Sequence, residues 1–323
     1  MPTALITGIS GQDGSHLAEL LLERGYRVVG VIRREASAGD RRVDSFRQRI
    51  ELLQGDLLDQ RWIQEILERF RPHEIYNFAA RASSSHLFSE PVLTGEVNGL
   101  AVLKLLEAAR TVDPAIRICQ ASSSEMFGKA LHSPQSELTP FRPRNPYGVA
   151  KLFAHGMIGA YRESFGVFAC SSILFNHESP RRGPEFVTRK IAMAVARIKS
   201  GSAQSLQLGS LDATRDWGYA RDYVHAMWKM LQAEVADDYV VATGESHSVR
   251  EFCELAFGHV GLDYRKYVRV DPHVQRPAES VRLLGDASKA RAVLGWQPTV
   301  SFEQLVRMMV DAEIECHARA TGA

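Results

Sequence analysis

Short apolar, β-branched runs alternate with amphipathic stretches over the first half of this chain. Strand-like runs at 4–7, 27–32, 51–53, 74–78, 116–121 and 169–175 are interleaved with helix-like segments at 17–23, 63–70, 100–109 and 147–163. Strands that follow one another through helices pair in parallel, because a parallel partner is reached only by a crossover on one face of the sheet. The pattern therefore predicts a doubly wound, parallel (Rossmann) α/β core. In such a sheet the ligand lies beyond the carboxyl ends of the strands, which is where polar clusters follow Thr7, Phe78, Ala121 and Phe175. After Asn176 the alternation gives way to Gly, Pro, Arg and short helical patterns, with one returning strand at 239–243. The expected division is a dinucleotide-binding domain over 1–176 plus about 216–244. A smaller interleaved C-terminal substrate lobe takes about 177–215 plus 245–323.

With 323 residues, 45% of them apolar, the chain can bury a large core. Its 39 basic and 38 acidic residues leave a formal net charge of +1, so no long-range field favours nucleic acid or an anionic membrane. Any anion must be met by a local site. Cys119, Cys170, Cys253 and Cys316 lie far apart and form no Cys-x-x-Cys pair, which argues against a zinc site and a disulfide scaffold. The first strand pattern begins at Thr3 with no basic lead, and no run approaches a membrane span. A cytoplasmic location is expected.

The first strand opens into Gly8-Ile9-Ser10-Gly11-Gln12-Asp13-Gly14. Glycines there let the backbone turn tightly and approach a pyrophosphate, whose charge the following helix N-terminus stabilises. A fold of this kind that prefers NAD carries an acid at the end of the second strand, to accept from the ribose 2′-hydroxyl. Here that place reads Ile32-Arg33-Arg34. Arginines pair with a 2′-phosphate, so the expected cofactor is NADP. Asp56 and Leu57, after the third strand, suit the adenine edge.

Tyr147 and Lys151 are four residues apart just after Asn145-Pro146, a helix-start signal, so both face the same way. A phenol near its ordinary pKa of about 10 is a poor base at neutral pH, and an ammonium within reach would lower it. Tyr147 could then take a hydroxyl proton as hydride leaves the same carbon, with Ser123 bonded to that oxygen. Glu125 adds something a simple alcohol oxidation does not need. Once a sugar carbon is a ketone, the hydrogen on its neighbour is acidic, and a carboxylate can remove it and then protonate a departing hydroxyl. Ser123, Glu125, Tyr147 and Lys151 are the candidate catalytic set.

These residues, with Asn176-His177-Glu178-Ser179-Pro180-Arg181-Arg182-Gly183, Arg215-Asp216-Trp217-Gly218 and Arg276-Pro277-Ala278-Glu279, carry a resemblance over nearly the whole chain. The sequence resembles the extended short-chain dehydrogenase/reductases and, among them, the GDP-mannose 4,6-dehydratase family. The resemblance implies a hydro-lyase of nucleotide-sugar metabolism, in deoxysugar biosynthesis. In that chemistry C4 is oxidised, water is lost across C5 and C6, and hydride returns to C6. It carries NADP contacts over to Gly8, Gly11, Gln12, Asp13, Gly14, Arg34, Ser37, Asp56, Leu57, Lys151, His177 and Arg182, with the strand end Phe78-Ala79-Ala80 beside the nicotinamide. It carries GDP-sugar contacts over to Asn176, Thr188, Lys190, Arg215, Arg276 and Glu279, implies no metal, and implies a homodimer or homotetramer.

The pattern departs from the family after Ala80, where Gln-Ser is usual and this chain has Arg81-Ala82-Ser83-Ser84-Ser85-His86. The run of serines leaves room for a larger sugar such as a GDP-linked heptose, or is simply a loop. Ser123 replaces a usual Thr and keeps the hydroxyl. Two other readings share the fold and stay open: a sugar-nucleotide epimerase or reductase, which has no need of Glu125, and a catalytically idle NADP-binding sensor.

Overall fold

The computed structural model describes residues 1–33, 42–82, 88–271 and 282–321. Arg34, Ser37, Ser83, Ser84, Ser85, His86, Arg276 and Glu279, singled out above, lie outside the described residues. The first half runs β1 (Thr3–Thr7), α1 (Gln12–Glu23), β2 (Arg27–Ile32), β3 (Glu51–Gln54), α2 (Gln60–Phe70) and β4 (Glu74–Asn77). It continues with α3 (Pro91–Gly95), α4 (Ala101–Val112), β5 (Arg117–Ala121), α5 (Pro146–Phe165) and β6 (Ala169–Leu174). The second half holds β7 (Asn176–Glu178), α6 (Val187–Lys199), β8 (Leu206–Leu208), β9 (Thr214–Arg215), β10 (Trp217–Tyr219), α7 (Ala220–Gln232) and β11 (Tyr239–Val241). It ends with β12 (His247–Ser248), α8 (Val249–His259), α9 (Tyr264–Tyr267), β13 (Val268–Val270), α10 (Ser288–Leu294) and α11 (Phe302–Thr321).

Seven strands form one parallel sheet in the order β3-β2-β1-β4-β5-β6-β11. The order reverses between β1 and β4, so a crevice opens there beyond their carboxyl ends. Strand β1 is buried along its full length, as a central parallel strand covered on both faces must be. One face packs α1, α7 and α10 through Leu17, Leu21, Met227, Met230 and Leu294. The other packs α2, α4 and α5 through Ile63, Leu67, Leu105, Leu106 and Ile158. Each such aliphatic side chain contributes about 1.5–3 kcal/mol on full burial, which favours the doubly wound arrangement over any that leaves one face wet.

Two helices differ from their sequence periodicity. Helix α1 starts at Gln12, well before the apolar stripe at Leu17, because its first turn is the glycine loop itself. Helix α4 is preceded by α3, with Pro91 in its first turn, and by a π-helical turn at Glu96–Leu100. Asn98 in that turn accepts from the Arg81 amide at 2.9 Å and donates to its carbonyl at 3.2 Å, tying the turn to the end of β4.

A separate apolar core brings together α6, α8 and α11, with Ile191, Val195, Phe252, Phe257, Val306 and Val310 at its centre. The chain reaches it through short parallel pairs, β7 with β10 and β8 with β13. Strand β11 stops at Val241, short of the expected Thr243. The amides of Thr243 and Gly244 donate instead to the Asp216 carboxylate, at 2.9 and 3.0 Å, as does that of Gly285 at 3.2 Å. One buried carboxylate thus joins the sheet edge to the segment carrying Arg215 and to the loop before α10.

Candidate active site

The carboxyl ends of β1, β2, β3 and β4 surround a cleft of about 520 Å³, within the size range of small-molecule sites. Gly8, Gly11, Arg33, Asp56 and Leu57 line it, and so do Phe78, Ala79 and Ala80, which brings together half of the expected cofactor contacts. Gly8 has φ +67°, and a Cβ on it would lie 2.9 Å from the Ala79 amide nitrogen. Only glycine allows that close passage, so the loop backbone reaches the cleft with nothing in front of it. This cradle and the neighbouring Arg33 fit a dinucleotide. Arg42 also reaches the loop, donating to the Ser10 carbonyl at 2.9 Å. Sequence reasoning missed it, because nothing local links a residue after β2 to the turn after β1.

Gln12 and Asp13 are taken up largely by protein partners. Gln12 donates to the His177 carbonyl at 3.1 Å and accepts from the Ser179 hydroxyl at 2.8 Å. Asp13 pairs with His177 Nε2 at 3.0 Å, while His177 Nδ1 donates to the Phe175 carbonyl at 2.7 Å. With both ring nitrogens donating, His177 is an imidazolium. Burial works to lower its pKa, but the Asp13 charge and hydrogen bond prevail and raise it. Burial likewise works to raise Asp13, yet His177 and Gln12 hold its carboxyl down at about 2. The pair bolts the glycine loop to β7.

The pair gives a stability window. Asp13, depressed in the fold, contributes stability present above its ordinary 3.8 and lost as pH falls through about 2. His177, raised in the fold, contributes stability fully present below 6.5 and lost as pH rises through its elevated value. Wild-type melting temperature should therefore fall on both flanks of a plateau from about pH 4 to pH 6.5. Asp13→Asn should flatten both flanks in a calorimetric pH series, and unchanged flanks would show that the pair does not govern them.

The reactive residues converge at the ends of β5 and α5. Asn145 caps α5, accepting from the Gly148 amide at 2.8 Å, and Pro146 fills the first helical position. Tyr147 therefore lies in the first turn, near Ser123, whose side chain works to lower its phenol and accepts from the Glu125 amide at 3.2 Å. Lys151, one turn on, is 2% exposed, donates to the Ala121 carbonyl at 2.6 Å, and its ammonium is 5.7 Å from the Tyr147 ring centre. Glu125, just beyond β5, accepts from the Asn145 side chain at 2.8 Å.

Burial dominates the electrostatics of this set. Burial pushes the Tyr147 phenol up to about 12, aided by the Glu125 and Asp13 charges and opposed by the Ser123 hydrogen bond and Arg182. The Lys151 ammonium, 5.7 Å from the ring centre, is turned to the Ala121 carbonyl across the strand end. Burial also lowers Lys151 itself to about 8, against the pull of Asp13. Arg182 works to lower the phenol. Its guanidinium lies over the Phe186 ring at 3.6 Å and within 3.2 Å of the buried Glu178.

The expected substrate residues are only partly as drawn from sequence. Asn176 opens β7 beside Trp217, two residues from Arg215. Lys190 is exposed on the first turn of α6 and donates to the Gln207 carbonyl at 2.8 Å. Thr188 is corrected: it is 1% exposed and its hydroxyl donates to Glu178 at 2.5 Å, so it supports that carboxylate from within. Glu178 was legible only as part of its motif; its service to Thr188 and Arg182 depends on how α6 docks. Arg81 lines the cleft, and its guanidinium pairs with Glu90, so the charge that departs from the family pattern is neutralised locally.

A parallel doubly wound sheet, a glycine cradle and a Ser–Tyr–Lys set at the strand ends define a short-chain dehydrogenase/reductase, a class that works with a nicotinamide cofactor. The family model described as GDP-mannose 4,6 dehydratase matches residues 5–309. GDP-mannose 4,6 dehydratase 1 of Arabidopsis thaliana is 49% identical over 328 residues, covering 98% of this chain and 91% of its own length. The enzyme of that name from Homo sapiens is 44% identical over 339 residues, covering 97% and 91%. A UDP-glucose 4-epimerase of Thermotoga maritima, solved with UDP-glucose, superposes with a TM-score of 0.87 over 98% of this chain and 99% of its own. At 22% identity that likeness is one of fold. The chain belongs to the GDP-mannose 4,6-dehydratase family.

Proposed function

We propose that this chain converts GDP-mannose to GDP-4-keto-6-deoxymannose with NADP as its resident cofactor. The observation that carries this is Glu125, held by Asn145 beside the Ser123–Tyr147 pair. An epimerase or reductase needs the phenol but has no work for that carboxylate. A bound oxidised nicotinamide supplies the acceptor for the C4 hydride and the donor that later delivers it to C6. Ser123 holds the C4 oxygen. Tyr147 takes its proton as hydride departs, which offsets a phenol pKa of about 12 by making the alcohol proton far more acidic in the transition state. Glu125 takes the C5 proton and gives it to the C6 hydroxyl, which leaves as water. The proton that Tyr147 took balances the one C5 regains.

Arg33 and Arg34 favour NADP over NAD, and Gly8, Gly11, Gly14, Ser37, Asp56, Leu57 and Phe78-Ala79-Ala80 are assigned to the cofactor. His177, Gln12 and Asp13 fix the loop, and Arg182 biases the phenol. Asn176, Lys190, Arg215, Arg276 and Glu279 are assigned to the GDP-sugar, within the division of domains given above. No described helix is long and apolar enough to cross a membrane, and a cytoplasmic enzyme is inferred.

The protein is further inferred to be a homo-oligomer. Val149 and Phe153 are 54% and 42% exposed on α5, and Gly156 and Ala160 continue the same exposed stripe. Small and apolar residues at these spacings suit a second copy of the helix. Phe153→Glu should reduce the mass measured by light scattering toward that of one chain, and an unchanged mass would exclude this face.

The test is incubation of the purified protein and NADP⁺ with GDP-mannose and, separately, with GDP-manno-heptose, following loss of one water by mass and reduced nicotinamide by absorbance. Water loss from GDP-mannose without accumulating reduced cofactor is expected. Water loss confined to the heptose would reassign the sugar, and loss from neither would remove the dehydratase assignment.

A further inference from the structure

We propose that Asn145 is a positioning residue that assigns separate tasks to the two oxygens of Glu125. Oε2 is held by Asn145, and Oε1 takes the C5 proton and returns it to the leaving hydroxyl. This rests on the dehydratase function proposed above.

Asn145 is buried, 7% exposed, and its carboxamide is used at both ends. The oxygen accepts from the Gly148 amide at 2.8 Å as the cap of α5. That commitment fixes the amide orientation, because only oxygen can satisfy the donor at the cap. The NH₂ must then face Glu125, and it donates to Oε2 at 2.8 Å. An amide N–H can only donate, so Oε2 has to remain an acceptor throughout the reaction. A protonated oxygen is a weaker acceptor than a bare one, so the bond directs the proton that Glu125 collects to Oε1.

The same cap brings helix and carboxylate together. A Cβ on Gly148 would lie 2.5 Å from the Glu125 carbonyl oxygen, so glycine there lets the first turn of α5 press against the backbone that carries the carboxylate. Tyr147 sits between Asn145 and Gly148 in the chain. One capped turn therefore sets the phenol and the carboxylate relative to each other.

In the step itself, the C5–H bond breaks as an O–H bond forms on Oε1. The electron pair left on C5 forms the double bond to C6 as the C6–O bond breaks. The Oε1 proton leaves with that oxygen as water, and the carboxylate is restored with Oε2 still bonded to Asn145.

Asn145→Asp tests this, because aspartate caps a helix as well as asparagine but presents an acceptor to Oε2 in place of a donor. With GDP-mannose and NADP⁺, kcat should fall about 10- to 100-fold, the loss of a hydrogen bond to a charged group, with KM and melting temperature close to wild type. Reduced nicotinamide should accumulate on the enzyme, because C4 oxidation still proceeds while elimination lags. In a Glu125→Gln background the added Asn145→Asp change should leave the rate of C4 oxidation unaltered. A kcat within twofold of wild type, a fall without reduced nicotinamide, or a slowed C4 oxidation in the double variant would each overturn the proposal. Failure of the wild type itself to release water would instead remove the function on which it rests.

Discussion

Tyr147→Phe is expected to abolish turnover, with keto-sugar formation falling by about 10³-fold or more, while the protein still folds and retains its cofactor. The hydroxyl is the only atom removed, and positioned proton transfer contributes about 10²–10⁴-fold in comparable sites. The ring stays in the first turn of α5, and its packing is unchanged. What is lost is the acceptor for the C4 proton and the partner of Ser123. Since this is the first chemical step, no reduced nicotinamide should appear in a single turnover, although GDP-mannose should bind with near-normal affinity by calorimetry. Retention of more than a tenth of wild-type activity would mean that another group takes the proton, and Ser123 with solvent would be the place to look.

Glu125→Gln should stop the reaction one step later. The amide keeps the size of the side chain but cannot accept the C5 proton, so water loss should fall by about 10²–10⁴-fold. Oxidation at C4 needs only Ser123, Tyr147 and the cofactor, so reduced nicotinamide should form in near-stoichiometric amount and persist. Transfer into heavy water adds a second readout: wild type should incorporate deuterium at C5, and the variant should not. Arrest without reduced cofactor would show that Glu125 is required for C4 oxidation too, and the division of labour between phenol and carboxylate would be wrong. The two substitutions thus stop the cycle on opposite sides of one spectroscopic signal.

The order of the strands was not legible in the sequence, whereas the parallel, doubly wound sheet, the glycine loop and the grouping of Ser123, Glu125, Tyr147 and Lys151 were. Period and spacing decide them: alternation requires crossovers, and a four-residue offset puts two side chains on one helix face. Side-chain direction was not legible. The spacing of Tyr147 and Lys151 put the ammonium near the phenol, but not the bond it makes at 2.6 Å to the Ala121 carbonyl, from a strand some thirty residues earlier. Thr188 was expected at the substrate and instead supports Glu178, because the docking of α6 turns its hydroxyl inward. Asn145 was legible as a helix start, yet its second bond, to a residue 20 positions earlier, exists only once β5 and α5 are side by side. Arg34, Ser37, Arg276 and Glu279 lie outside the described residues, so their assignment rests on the motif alone.

The path of the chain through its two cores also fixes an order of assembly. Strands β1 to β6 find all their mutual partners within the first 174 residues, so the cofactor side of the cleft can begin to pair while later residues are still being synthesised. The core around α6 and α8 has no such autonomy: Phe302, Leu305, Val306, Met309 and Val310 of α11 complete it. On the ribosome, the wall carrying Lys190 and Arg215 must wait for the last helix described. The sheet edges of the cradle can therefore pair before the sugar wall closes, while each core receives its last helix, α10 or α11, from the end of the chain.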